Sequence, residues 1–328
     1  MKILVTGGAG YIGSHAVRRL VTAGFEVVVI DNLSKGHKVA LPSECKLYVE
    51  DLKNQEKIYD ILSIEKVDAV MHFSASIEVG ESMKDPIHFY ENNVRNTINL
   101  LLAMTRAGVN KIIFSSTAAV FGDPEEVPMK EDSKKAPTNV YGRTKLMMET
   151  IIKDLASVGN LNYGILRYFN AAGADDSGDI GEDHDPETHL IPLILQVPLK
   201  QRDKIFVFGR DYPTKDGTCI RDYIHVNDLA DAHILVLEKI LDAKVNCEYN
   251  LGSGNGYSVN EVIAMCEEVV GMPINTEEAP RRAGDAPILV ADPSLLKKEL
   301  GWEQKYNLRK IISSSWKWHK SHPRGYNI

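Results

Sequence analysis

Thr6-Gly7-Gly8-Ala9-Gly10-Tyr11-Ile12-Gly13 is the stretch on which the fold turns. It joins an apolar, β-branched strand at residues 2–6 to a helical pattern over residues 11–23, and Gly7, Gly10 and Gly13 follow a GxxGxxG spacing. Glycines at such a turn let the backbone approach a pyrophosphate closely, while the amides and dipole of the helix start favour its negative charge. A lone glycine motif carries little weight. Here, however, the second strand, residues 26–30, runs into Asp31-Asn32, 18 residues beyond Gly13. A carboxylate there accepts hydrogen bonds from both hydroxyls of an adenosine ribose and repels a 2′-phosphate, which favours NAD over NADP. Asp51-Leu52, after a third strand at residues 46–49, are placed to flank the adenine, although a plain turn with a helix cap at Asp51 fits the spacing nearly as well.

Outward from this turn the first half alternates short β-branched runs with helical patterns, the texture of a parallel sheet covered by helices. Further strands are predicted at residues 69–73, 111–115 and 163–168. Helices are predicted from Asp85-Pro86 to Ala107, where Gly108 stops the chain, and over residues 139–157. After Asn170 the stretch 171–188 is rich in Gly, Asp and Pro and reads as a loop over a site. Helical patterns then recur at 190–200, 226–240 and 259–270, with short strands near 205–208, 248–251 and 274–276 and a terminal helix after Trp302. The expected architecture is α/β: a Rossmann-type, doubly wound parallel sheet over residues 1–170 and a smaller mixed α/β lobe over 171–328, with elements of about 226–251 packing back on the first domain.

Composition narrows the function. Of 328 residues, 44% are hydrophobic and 25% charged, the balance of a folded globular chain. With 38 basic against 45 acidic residues the net charge is -7, and no basic run exceeds two residues, which argues against a nucleic-acid partner. No apolar stretch approaches the roughly 20 residues needed to cross a bilayer. Met1 runs directly into the first strand without a leader pattern, and Cys45, Cys219, Cys247 and Cys266 are scattered singly, so a cytoplasmic protein with reduced thiols is expected.

Tyr141-Gly142-Arg143-Thr144-Lys145 opens a predicted helix and puts Tyr141 and Lys145 four apart, on one face. A neighbouring ammonium lowers the pKa of a phenol and makes it a usable base near neutral pH. On its own such a pair is usually a solvated helix face. Ser115-Ser116-Thr117 change the weighting, because they lie at a carboxyl end of the sheet, where open α/β folds bind ligands, and supply a second hydroxyl through Thr117. A strand-end hydroxyl, a tyrosine and a lysine, following a nucleotide-binding turn, form a set for moving a proton during hydride transfer.

With these blocks in place the sequence resembles the extended short-chain dehydrogenase/reductase family, and its epimerase-like branch in particular, over essentially the whole chain. The resemblance rests on residues 6–15, 31–36, 72–82, 89–94, 114–122, 141–145, 167–174, 207–233 and 281–285, above all the block around Arg221-Asp222-Tyr223. It implies an NAD-dependent isomerase that inverts carbon 4 of a UDP-hexose, UDP-galactose against UDP-glucose, and a homodimer. Tyr141 would be the base, Lys145 its partner and ribose anchor, and Thr117 the hydroxyl bonding the sugar's 4-oxygen. The resemblance assigns NAD to Gly7, Gly10, Tyr11, Ile12 and Gly13, to Asp31, Asn32, Asp51 and Leu52, and to Phe73, Asn92, Ser115, Tyr141, Lys145 and Tyr168. It assigns the UDP-sugar to Asn170, His189, Leu190, Phe208, Arg221, Arg282 and Asp285.

Three positions depart from the family pattern. Ile77 stands where a lysine contacting the cofactor is common, Thr117 replaces a frequent serine, and Leu289 occupies a gate that is tyrosine in strict UDP-glucose enzymes and small where N-acetylated sugars are accepted. Ala118-Ala119 lack the acidic pair of the related dehydratases, and the intact Thr117, Tyr141 and Lys145 speak against a non-catalytic NAD sensor. A 4-epimerase of UDP-N-acetylhexosamines stays open as an alternative. Asp183-His184-Asp185 with Glu187 and His189 match no closed zinc spacing and read as solvated loop charge, with a nucleotide contact from His189 and no metal. Gly252 to Gly256 lack a following acid, so no second dinucleotide site is expected. The apolar Ile98, Leu102, Met147 and Ile151 suit a core or an interface equally.

Overall fold

The computed structural model describes residues 1–243, 245–282 and 285–327. In chain order, the first elements are β1 (Lys2–Thr6), α1 (Tyr11–Thr22), β2 (Glu26–Asp31), β3 (Lys46–Val49), α2 (Gln55–Glu65), β4 (Ala69–His72), α3 (Val79–Lys84) and α4 (Pro86–Phe89). A π-helical turn (Tyr90–Arg95) then leads into α5 (Asn96–Ala107), β5 (Lys111–Thr117), α6 (Val140–Ser157), β6 (Asn162–Tyr168) and β7 (Asn170–Ala172). Next come α7 (Leu190–Leu195), β8 (Ile205–Phe208), β9 (Ile220–His225), α8 (Val226–Asp242), β10 (Cys247–Leu251) and β11 (Gly256–Ser258). The last are α9 (Val259–Val270), β12 (Thr276–Ala279), β13 (Ile288–Leu289), α10 (Ser294–Leu300) and α11 (Leu308–Ser321).

Seven strands form one sheet in the order β10-β6-β5-β4-β1-β2-β3. β1 sits inside it, paired in parallel with β2 on one side and β4 on the other, so Val5 lies opposite both Val29 and Met71. Chain progression reverses direction at β1, and the crevice outside the strand ends at such a reversal is where open α/β sheets take ligands. One sheet face buries Leu4, Val28, Val70, Ile112 and Phe114 against Ile58 and Leu62 of α2, Leu100 and Met104 of α5, and Met148 and Ile152 of α6. Each such side chain contributes about 1.5–3 kcal/mol by leaving water.

The chain divides into two compact units. One comprises residues 1–123, 131–167 and 230–250; the other comprises 124–130, 168–229 and 251–328. The second has its own core, in which Ile191, Ile194 and Leu195 of α7 pack with Val207, Tyr223, Val262, Cys266, Ile311 and Ile312.

Several elements differ from the sequence expectation. The single helix predicted from Asp85 to Ala107 is instead α4, the π turn and α5, with α3 before it. Proline at the first position of α4 starts a new helix, its end capped by Asp85, whose carboxylate accepts from His88 N–H. β5 runs on to Thr117, two residues beyond the expected 115. The strand expected at 274–276 is β12, residues 276–279, a polar stretch held by parallel pairing with β8. β9, unforeseen because Ile220-Arg221-Asp222-Tyr223-Ile224-His225 shows no strict polar–apolar alternation, is the hub of a second sheet with β7, β11 and β13. α7 stops at Leu195, short of 200. Of the charges expected to be solvated at 183–189, Glu187 is 8% and His184 19% exposed at the side chain, packed with buried Glu182, whereas Asp185 is exposed, so the segment is solvated only in part.

Candidate active site

The turn after β1 is shaped for a close-lying group. Gly7 has φ +70°, and a Cβ there would stand 2.7 Å from Ser74 N, so a side chain would fill the cradle. α1 starts at Tyr11 with Gly10 as its cap, which brings no side chain to the first-turn amides. Asp31, buried at the end of β2, accepts from Ala9 N–H at 2.9 Å and Leu33 N–H at 2.8 Å. Burial pushes its pKa up, and these two amides pull the other way. Asn32 Nδ2 donates to Asp51 at 3.1 Å, and Leu52 is buried beside them. Phe73 continues β4, its N–H bonded to Thr6 O and its ring 5.1 Å from that of His233. Asn92, on the π turn, donates to Ser76 Oγ at 2.9 Å, while its neighbour Asn93 accepts from Ser76 N–H at 2.8 Å. The wider turn thereby clamps residues 74–77, the segment against Gly7. Ile77 is 38% exposed.

Thr117 ends β5, and Tyr141 and Lys145 stand on the first turns of α6, whose cap Asn139 accepts from Gly142 N–H at 2.8 Å. α6 begins against the strand end: a Cβ on Gly142 would lie 2.4 Å from Ala119 O, so only glycine allows this approach. Lys145 is fully buried, and its Nζ donates to the Ser115 carbonyl at 2.9 Å, five ångströms from the Phe114 ring centroid at 5.0 Å. Burial drives its ammonium down to about 7, with Glu149 opposing. Tyr141 packs with Phe89 and Val140; its N–H donates to Ser82 Oγ at 3.2 Å, and its carbonyl accepts from Thr144 Oγ1, itself bonded by Asn93.

Behind these groups, Arg167 of β6 holds Glu149 of α6 with two bonds of 2.8 and 2.7 Å and also bonds Glu248, while Ser116 Oγ donates to Glu149 at 2.6 Å. A buried pair of this kind costs about 3–5 kcal/mol to break from one side. The pair ties α6 to β6 and the Ser116 bond ties it to β5, which holds Lys145 and Tyr141 relative to Ser115 and Thr117. Ser82 and Asn93 escaped the sequence reading because only the fold brings them to Tyr141 and Thr144, and Glu149 because its partners Ser116 and Arg167 lie on β5 and β6. Asn93 and Thr144 lay inside motifs already singled out.

In the second unit β9 organises the other predicted residues. Asn170 pairs with Tyr223 across β7 and β9 and donates to Asp222 O at 2.9 Å, and Leu289 lies opposite Arg221 across β13. Arg221 donates to Ala286 O at 2.8 Å and lies 3.6 Å from Asp285. Arg282 stacks its guanidinium on Phe208 at 4.0 Å. Arg221, Asp285 and the Asn170 amide stand at β9 and Arg282 on Phe208 of β8; groups of these types can donate to a diphosphate and accept from a ribose. The glycine-rich 252–256 loop wraps Asp222: Ser253 and Gly254 N–H and Ser253 Oγ all bond its carboxylate. Tyr168 closes β6, and Leu190 opens α7. The His189 side chain turns to Glu182 and Glu187, at 2.8 and 3.2 Å. Ala283 and Gly284, in the block 281–285, lie outside the described residues.

Residues 3–252 match the NAD dependent epimerase/dehydratase family. The chain belongs to this family. Among the relatives of this epimerase/dehydratase member, UDP-glucose 4-epimerase of Halalkalibacterium halodurans is 50% identical over 328 residues, covering 100% of this chain and 98% of the relative. A crystal structure of a UDP-glucose 4-epimerase superposes with TM-score 0.97 at 49% identity, covering 100% of both chains. That of the Bifidobacterium longum UDP-glucose 4-epimerase, in complex with NAD+ and UDP, superposes with TM-score 0.95 at 38% identity, covering 99% of this chain and 100% of the other.

Proposed function

We infer that this member of the family interconverts UDP-galactose and UDP-glucose as an NAD-dependent isomerase. The observation that carries the reading is the anchoring of Lys145 on the Ser115 carbonyl, on the same strand end as Thr117 and one helical turn from Tyr141. NAD, when bound, would supply the acceptor for the hydride of sugar carbon 4 and the donor that returns it to the opposite face. The glycine turn would take its pyrophosphate, with Asp31 on the adenosine ribose and Asn32, Asp51 and Leu52 along the adenine; Phe73, Asn92, Ser115 and Tyr168 complete the set.

Tyr141, as phenolate, takes the proton of the 4-hydroxyl and gives it back, held in that state by the Lys145 ammonium, while Thr117 bonds the 4-oxygen. Arg221, Arg282, Asp285, Asn170, Phe208 and Leu190 hold UDP, and His189 contributes through its backbone. A firm hold on UDP with few contacts to the hexose keeps the ketone bound while letting it turn. The test is a proton NMR time course of the purified protein with UDP-galactose and no added NAD. Appearance of UDP-glucose is the expected result; no conversion, even with NAD supplied, overturns the reading.

Leu289, beside Arg221, sets the room at the sugar. Leu289→Tyr is expected to lower kcat/KM for UDP-N-acetylgalactosamine about tenfold more than for UDP-galactose, measured by the same assay with both sugars. The protein also works as a homodimer in this reading, in the cytoplasm, where its four free cysteines stay reduced. Ile98, Leu102 and Met147 are 38%, 47% and 44% exposed on α5 and α6, next to a shallow groove lined by Val94, Leu146 and Ile151. An exposed apolar patch on two adjacent helices suits a self-complementary contact. Leu102→Glu combined with Met147→Glu is expected to convert a dimer to a monomer in sedimentation velocity, with the circular dichroism of the parent retained.

A further inference from the structure

Glu182-Asp183-His184 and Glu187-Thr188-His189 repeat one E-x-H pattern five residues apart. Their four side chains converge. One ligand atom from each of Glu182, His184, Glu187 and His189 lies within 4.8 Å of every other. Glu182 Oε1 is 3.3 Å from His184 Nδ1 and 2.8 Å from His189 Nδ1, and Glu187 reaches the same nitrogens at 3.8 and 3.2 Å. Tetrahedral zinc with bonds of about 2.0–2.1 Å sets its ligand atoms about 3.3 Å apart, which is the middle of this range.

A second observation concerns direction. Glu182 is 2% exposed, and its Oε1, although close to both imidazoles, makes no hydrogen bond. Within the cluster His189 Nδ1 bonds Glu187 Oε1 at 3.2 Å, and Glu182 Oε1 is the buried oxygen left without a hydrogen bond. A buried carboxylate oxygen without a hydrogen bond, facing two imidazole nitrogens, has the donor arrangement of a cation site.

We propose that Glu182, His184, Glu187 and His189 bind one divalent transition-metal ion, with zinc as the best fit to an N2O2 set of four closed ligands. Spacing alone did not suggest this, because the ligands alternate between carboxylate and imidazole in a pattern unlike the familiar cysteine-histidine ones. Four protein ligands leave no open position, so the ion is structural and stands apart from the sugar chemistry.

It fastens a segment that already leans on the chain's end: Trp318 Nε1 donates to Glu182 O at 3.1 Å, Tyr326 N–H to Asp183 at 2.9 Å, and Leu190, next after His189, begins α7.

The test uses the full chain, stripped with a chelator and titrated with zinc sulfate by calorimetry, with cobalt(II) in parallel. One ion per chain, an increase of several degrees in melting temperature and the intense visible bands of tetrahedral cobalt are expected. His184→Gln and His189→Gln should each weaken zinc binding at least tenfold. Absence of stoichiometric binding overturns the proposal, as do a weak octahedral cobalt spectrum and binding unchanged in both variants. The cobalt spectrum of the parent decides the matter even where a variant fails to fold.

Discussion

Tyr141→Phe is expected to lower turnover of UDP-galactose by a factor on the order of 10²–10⁴, the range that a positioned base contributes. The change removes one oxygen and keeps the ring that packs on Phe89 and Val140, so folding should match the parent. The NMR time course gives the rate, and the ultraviolet spectrum of the purified variant gives the NAD content. Turnover within tenfold of the parent would remove Tyr141 from the role of base. Equal loss of NAD and of turnover would make the residue a cofactor anchor instead.

Lys145→Met is expected to act on activity and stability in opposite directions. Turnover should fall about a hundredfold or more, because the phenol then ionises only near its ordinary pKa of about 10, and the residual rate should climb with pH toward that value. Stability should not fall. In the folded state burial holds the Lys145 pKa at about 7, whereas an unfolded lysine titrates near 10.5. Between these values the unfolded chain carries the extra proton, so this group makes stability rise with pH across the window and imposes its full cost below pH 7. The methionine variant escapes that cost. Its melting temperature should equal or exceed the parent's at pH 7, and the difference should shrink toward pH 10. A variant several degrees less stable at pH 7 would show that the bond to Ser115 O outweighs the desolvation of the ammonium.

The parts of this molecule visible in the sequence are those whose physics is local. The Gly7 turn, the acid closing β2 and the four-residue spacing of Tyr141 and Lys145 each need only their neighbours to be understood. The start of the long helix was also local, in Asp85-Pro86, but the π turn that interrupts it was not: Asn92 and Asn93 find their partner in Ser76, 16 and 17 residues away. β9 was hidden for a similar reason. Its polar residues, Arg221 and Asp222, are satisfied by residues 252–254 and 285–291, and nothing in the strand itself announces those partners. The same holds for Glu182, whose burial depends on Trp318 more than a hundred residues later.

The division of the chain carries a consequence for its history. The polypeptide passes between the two units five times, at residues 123–124, 130–131, 167–168, 229–230 and 250–251. A gene cut at any one point therefore leaves at least one unit lacking part of its chain. Two units whose segments follow one another in this way cannot be exchanged as cassettes by recombination at a single junction. New properties have to be reached by changes within a chain that stays whole.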